Sequence, residues 1–167
     1  MEKGIFIEKD VIMIGIIGAM DIEVNGLIGE MEIEKVDNKC NMNFNVGKLF
    51  GRDVVVVKCG VGKVNAALCS QILCDLYNVS IIINTGVAGS LDNRIDIGDI
   101  VLSTDAVQHD MDVTPLGYEI GHVPGFEDVE FNTDESLRRI VANKAKEVLG
   151  SVKSLPARYA FGAGAFN

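Results

Sequence analysis

The chain has 167 residues, 48% of them hydrophobic and 23% charged, with a formal net charge of -9; this composition argues against disorder and predicts one domain with a sizeable core. No run of Lys or Arg offers phosphates a footprint, which argues against nucleic acid as a partner. The apolar run Val11–Met20 is too short to cross a bilayer, and Glu2, Glu8 and Asp10 beside Lys3 and Lys9 make a poor export signal, so a cytoplasmic protein without membrane contact is expected.

Val11–Ile17 predicts a buried strand, and Asp21–Met31 a helix with Val24, Leu27, Ile28 and Met31 on one face. Met42, Phe44 and Val46 alternate with Asn41, Asn43 and Asn45, the period of a half-exposed strand. Phe50-Gly51-Arg52-Asp53 reads as a hairpin turn into the β-branched run Val54–Lys58. After Gly60-Val61-Gly62, a helix with Val64, Leu68, Ile72 and Leu76 as its buried stripe is expected. Ser80–Asn84 predicts another core strand, and Ile97–Val107 a longer one entered through Gly98-Asp99. Asp110 to Glu130 reads as an irregular loop, of a length that is usually functional or covers an interface. Thr133 is the expected cap of a helix through Leu149 that stops at Gly150, and Arg158–Phe166 would begin a last strand. Strands alternating with helices imply an α/β fold, a mixed central sheet flanked by helices. Cys40, Cys59, Cys69 and Cys74 form no Cys-x-x-Cys pair and are expected as reduced, buried thiols.

Two glycine-centred strand ends, Gly15-Ile16-Ile17-Gly18-Ala19-Met20 and Ile82-Ile83-Asn84-Thr85-Gly86-Val87-Ala88-Gly89-Ser90, carry most of the chemical information. A buried strand breaking into a glycine turn is where open α/β sheets build a ligand crevice. Glu23 falls on the opening turn of the helix after the first of them. Spacing leaves two roles open: an acid favoured by the helix dipole, or a general base. The first turn lacks the G-x-G-x-x-G spacing of dinucleotide folds. Gly60-Val61-Gly62-Lys63 lacks both the upstream Gly and the following Ser or Thr of a P-loop. His109, Asp110 and Asp112 have no fourth ligand nearby, so a polar loop is preferred to a metal centre, and His122 has no sequence neighbour that makes it chemical.

Taken together, GIIGAMDIEV, Lys58-CGVGKV, Ile82-INTGVAGSL, IGDIVLS and HDMDVTPLGYEIGHVPG resemble the bacterial 5′-methylthioadenosine/S-adenosylhomocysteine nucleosidases, members of the purine nucleoside phosphorylase superfamily. The resemblance runs in order from about Ile12 to Phe166, giving a nucleoside phosphorylase-like domain over residues 12–167 after an N-terminal extension of residues 1–11. It implies hydrolysis of the N-glycosidic bond of a purine nucleoside with release of adenine, no cofactor, no metal, and a homodimer. By position it implies Glu23 as the base that activates water, Val61 near the sugar, and Val87, Ala88 and Gly89 along the nucleoside. Val113, Leu116, Tyr118 and Pro124 match the segment lining the alkylthio pocket, partly from a neighbouring subunit, and Phe166 the aromatic residue that stacks on adenine.

This chain departs from the family pattern at Val87, where Ser is frequent, and at Gly162-Ala163-Gly164, where the family reads Ser-Gly-Asp. Family members also continue past the residue matching Phe166, through a Met-Glu-x-Glu segment that grips the ribose and an Asp that protonates adenine. The expectation is therefore a fold incomplete at its C-terminus. Apolar faces of Val54–Val57 and Ile81–Ile83 should lie open, and the chain alone should have little or no activity. The rivals are a nucleoside phosphorylase, a futalosine hydrolase and a non-catalytic nucleoside-binding or dimerisation fragment. Phosphorolysis needs arginines around phosphate, for which Arg94 and Lys63 are the nearby candidates.

Overall fold

A computed structural model describes residues 12–149, 153–155 and 160–162. The expected extension of residues 1–11, Gly150 and Phe166 lie outside them. The chain divides into two units, Met1–Val87 with Gly162–Asn167, and Ala88–Phe161.

In the first unit, β1 (Ile14–Gly18), α1 (Asp21–Gly29), β2 (Glu32–Lys39), β3 (Met42–Leu49), β4 (Arg52–Lys58), α2 (Lys63–Tyr77) and β5 (Ile81–Asn84) follow one another. The strands form one sheet in the order β2-β3-β4-β1-β5. β1 runs parallel to both β4 and β5, whereas β2-β3 and β3-β4 are antiparallel hairpins. Both hairpins turn through two residues with positive φ, Cys40-Asn41 and Phe50-Gly51, the backbone that matches strand twist.

The period of two along the strands sorts the core into two layers. Ile16, Val54, Val56 and Leu49 face α1 and its residues Val24, Leu27 and Ile28. Ile17, Val55, Val57, Phe44 and Val46 face α2 and its residues Cys69, Leu73 and Ile72. With a helix on each face, the centre of β4 is buried, so the expectation that Val54–Val57 lie open is overturned: their exposure is 2% or less. The same cover buries Asn45, expected on a wet face, and its amide donates to the Val56 carbonyl at 3.0 Å. By contrast β5 is an edge, and Ile82 and Ile83 are 37% and 40% exposed, as expected.

The buried stripe of α2 differs from the expected one. Cys69 and Leu73 are fully buried, while Val64, Leu68 and Leu76 are exposed and only Ile72 packs on the core. The helix carries apolar residues on two faces, and periodicity alone does not say which meets the sheet. Its last turn is held by Tyr77, whose ring stacks on Phe44 at 5.2 Å and whose hydroxyl donates to Asp37 of β2 at 3.0 Å. Burial and that carboxylate push the Tyr77 phenol up to about 12. The opposite edge, β2, has no apolar period in Glu32–Lys39, and sequence patterning missed it.

The second unit contains β6 (Ala88–Ser90), β7 (Val101–Ser103), β8 (Asp105–Ala106), a 3-10 turn (Thr114–Leu116), β9 (Phe131–Asn132), α3 (Glu135–Leu149), β10 (Lys153–Leu155) and all but the last residue of β11 (Ala160–Gly162). The single strand expected over Ile97–Val107 is two short ones. β7 pairs with β10 in parallel and β8 with β9 antiparallel, so the ladder breaks at Thr104 between them. α3 is capped by Asp134, which accepts the Leu137 N–H at 2.8 Å, and not by Thr133, whose hydroxyl points at the carbonyls of Ser103 and Thr104. Burial makes Leu73 the residue on which the seat of α2 depends. Leu73→Ala should lower the unfolding free energy by about 2–5 kcal/mol in urea titrations, whereas exposed Val64→Ala should change it by no more than about 0.5 kcal/mol.

Candidate functional site

Three parallel strands end side by side, β4 at Lys58, β1 at Gly18 and β5 at Asn84. The ladder continues one step beyond them. Cys59 N–H donates to the Gly18 carbonyl and Thr85 N–H to the Ile17 carbonyl, each at 2.9 Å. From there β1 leads into α1 on one face of the sheet and β4 into α2 on the other. Chain segments thus diverge at the carboxyl ends of the strands, the place where α/β sheets open a crevice.

Glu23 sits there, in the first turn of α1. Its Oε2 accepts the N–H groups of Ala19 at 2.6 Å and Met20 at 2.9 Å, satisfying donors that a helix start leaves unpaired. Its Oε1 accepts the Val87 N–H at 3.0 Å, from a residue 64 positions away. The cap and the chemical reading are therefore compatible. A carboxylate offers about four lone-pair sites, and three donors leave one on Oε1 for a further proton donor such as water. Val87 contributes through its backbone, so Val at a position where Ser is frequent leaves this bond intact.

Around this carboxylate the protein adds charge and apolar mass. Lys58 Nζ lies 2.9 Å from an Asp21 carboxylate oxygen and ties the end of β4 to the start of α1. Cys59 is buried behind it; burial pushes its thiol up, and the Glu23 charge adds in the same direction. Burial likewise takes Cys69 up to about 12. Val61 lies in the turn after Cys59 and is exposed; Gly60 and Gly62 on either side have φ of 89° and 97°, which a side chain would strain.

Residues 13–166 match the sequence profile described as the Phosphorylase superfamily. The chain belongs to that superfamily. Among its relatives, a 5′-methylthioadenosine/S-adenosylhomocysteine nucleosidase of Geobacillus sp. (strain WCH70) is 42% identical over 81% of this chain and 58% of its own length. The fold also matches solved nucleosidases of the same description. One, from Colwellia psychrerythraea 34H in complex with adenine, has a TM-score of 0.79 and 38% identity over 88% of this chain and 60% of the other. Another, from Neisseria meningitidis in complex with methylthio-immucillin-A, has a TM-score of 0.81 and 32% identity over 86% and 62%. The chain thus spans 58–62% of the length of these phosphorylase-superfamily relatives.

Of the residues singled out in the sequence, the structure joins Glu23 to Val87 and sets Val61 just past the adjoining strand end. Ala88 and Gly89 form exposed β6 in the second unit. Val113 opens the 3-10 turn, Leu116 and Pro124 are exposed, and Tyr118 stacks on His122 with ring centroids 4.6 Å apart. Asp112 closes that turn, accepting the Thr114 hydroxyl and N–H, which hold its carboxyl below the usual range. Among the described residues, no group of three His, Cys, Asp or Glu is placed to hold a metal, and no helix is long and apolar enough to cross a membrane. Sequence reasoning missed Gly86 and the amides of Ala19 and Met20, whose importance is in backbone and space rather than in side-chain chemistry. The expectation of four buried thiols is corrected as well: Cys40, at a hairpin tip, and Cys74, on the outer side of α2, are exposed. A brief pulse of thiol reagent followed by peptide mass spectrometry should label Cys40 and Cys74 in the native protein, and Cys59 and Cys69 only after unfolding.

Proposed function

We propose that the protein acts in N-glycosyl hydrolysis by positioning water against the sugar of 5′-methylthioadenosine or S-adenosylhomocysteine. Glu23 carries the reading, a carboxylate pinned by three backbone amides at the carboxyl ends of β4, β1 and β5 with one lone pair left over. In this mechanism Oε1 takes a proton from water as its oxygen attacks the anomeric carbon; the glycosidic electrons leave on adenine, which as an anion takes a proton from solvent, and Glu23 returns its own proton to solvent. Val61 contacts the sugar, and Val87, Ala88 and Gly89 lie along the nucleoside. By their match to the family pattern, Val113, Leu116, Tyr118 and Pro124 are assigned to the alkylthio group and Phe166, outside the described residues, to the base. The nucleosidase descriptions of the relatives support this substrate class.

Water is favoured over phosphate as acceptor because no arginine lies in the Gly18–Glu23 turn, and the Arg94 guanidinium is bound to both carboxylate oxygens of Asp92. A second copy of the chain is the proposed protein partner, supported by the exposed apolar residues Val64, Leu68 and Leu76 along α2.

The test is adenine release from methylthioadenosine, adenosylhomocysteine and futalosine, by the chain alone and by the chain extended with the remaining residues of the Geobacillus relative. The extended protein should release adenine without consuming phosphate, and Glu23→Gln should lower kcat by roughly 10²–10⁴-fold. Undiminished release by that variant would refute the role of Glu23, and a ribose 1-phosphate product would place the protein with the phosphorylases. In sedimentation velocity the protein should run as a dimer and Leu68→Glu as a monomer; an unchanged dimer would remove α2 from the interface.

A further inference from the structure

From the space around Glu23 we infer that Gly86 is a positioning residue: its missing side chain is what lets the carboxylate lie against the Gly86–Val87 peptide. The catalytic meaning of this rests on Glu23 as the base; the geometry does not. A Cβ at Gly86 would stand 2.7 Å from Glu23 Cδ and 3.2 Å from Oε2, and closer still to Oε1. Favourable carbon–carbon contact begins near ~3.5 Å, so side chain and carboxylate exclude one another. Gly86 is not in the left-handed region, so space and not backbone conformation is what requires glycine here.

The two neighbouring glycines differ in what they would meet. A Cβ at Gly18 would meet Val24 Cγ1 at 2.7 Å, Glu23 Cβ at 3.1 Å and the Thr85 carbonyl at 3.2 Å, none of them part of the Glu23 carboxylate and all kept when residue 23 is Ala, so that glycine serves the packing of α1. A Cβ at Gly26 would meet nothing within 4 Å. Gly86 is crowded by the Glu23 carboxylate itself. Filling its space would turn that group away from Val87 and, because both oxygens belong to one rigid plane, would also pull Oε2 off the Ala19 and Met20 amides.

Melting curves and amide spectra of the 167-residue chain test this without substrate, so failure here is distinguishable from failure of the hydrolytic reading, which adenine release decides. Gly86→Ala should lower Tm by roughly 3–10 °C. That loss should vanish in a Glu23→Ala background, whereas the loss from Gly18→Ala should persist in both. In a pH titration followed by 15N-resolved NMR, the amides of Ala19, Met20 and Val87 should move with one midpoint, since they bond one carboxylate. Gly86→Ala should drop Val87 from that group, and Gly26→Ala should leave it intact. Equal Gly86→Ala losses in the two backgrounds would overturn the proposal, as would a Val87 amide that still titrates with the others in that variant. If Gly86→Ala does not fold, the double variant with Glu23→Ala decides: recovered folding supports the proposal and continued failure overturns it.

Discussion

One carboxylate bridging two stretches of backbone ties the strand ends of this protein together. Glu23 closes the start of α1 through Ala19 and Met20 and reaches across to Val87 beyond β5. Hydrogen bonds to a charged acceptor contribute roughly 1.5–3 kcal/mol each, more than neutral ones. Holding the group with backbone donors rather than side chains fixes its direction, because the donors belong to strand ends that the sheet has already placed. A carboxylate fixed in this way needs little reorganisation to accept a further proton donor.

The sheet supplies that placement. β1 lies between β4 and β5 with Ile17 opposite both Val57 and Asn84, so three strand ends finish level. Helices of opposite faces leave from two of those ends, and the core divides into an α1 layer and an α2 layer by the alternation of the strands. A slip of one residue between β1 and β5 would carry Ile82 and Ile83 to the wrong faces and move the Val87 amide away from Glu23. Fold register and site geometry are therefore one constraint.

Two apolar surfaces remain outside this economy of burial. Parallel strands are normally covered on both faces, yet β5 shows Ile82 and Ile83, and α2 shows Val64, Leu68 and Leu76. Contiguous apolar patches are uncommon on solvent-facing surfaces. The stripe on α2 is also the more regular of the apolar patterns on that helix, which is why sequence periodicity selected it as the core face. The buried pair is instead Cys69 and Leu73.

Local chemistry was readable from the residues alone: the strand at β1, the helix opened by Asp21 with Glu23 in its first turn, the glycine turn at 60–62, and the Phe50-Gly51 hairpin all follow from short-range patterns. Edge strand β2 was not, because its alternation is charged on charged; nor was the break at Thr104, which arises only because β7 and β8 pair with different partners. That Glu23 does more than cap its own helix became visible only because Val87, 64 residues away, donates to the same carboxylate. The sequence settled which groups could do chemistry, since side-chain type is a local property. Their neighbours, and the empty space at Gly86 that admits the carboxylate, were decided by strand order and register, which depend on contacts between residues far apart in the chain.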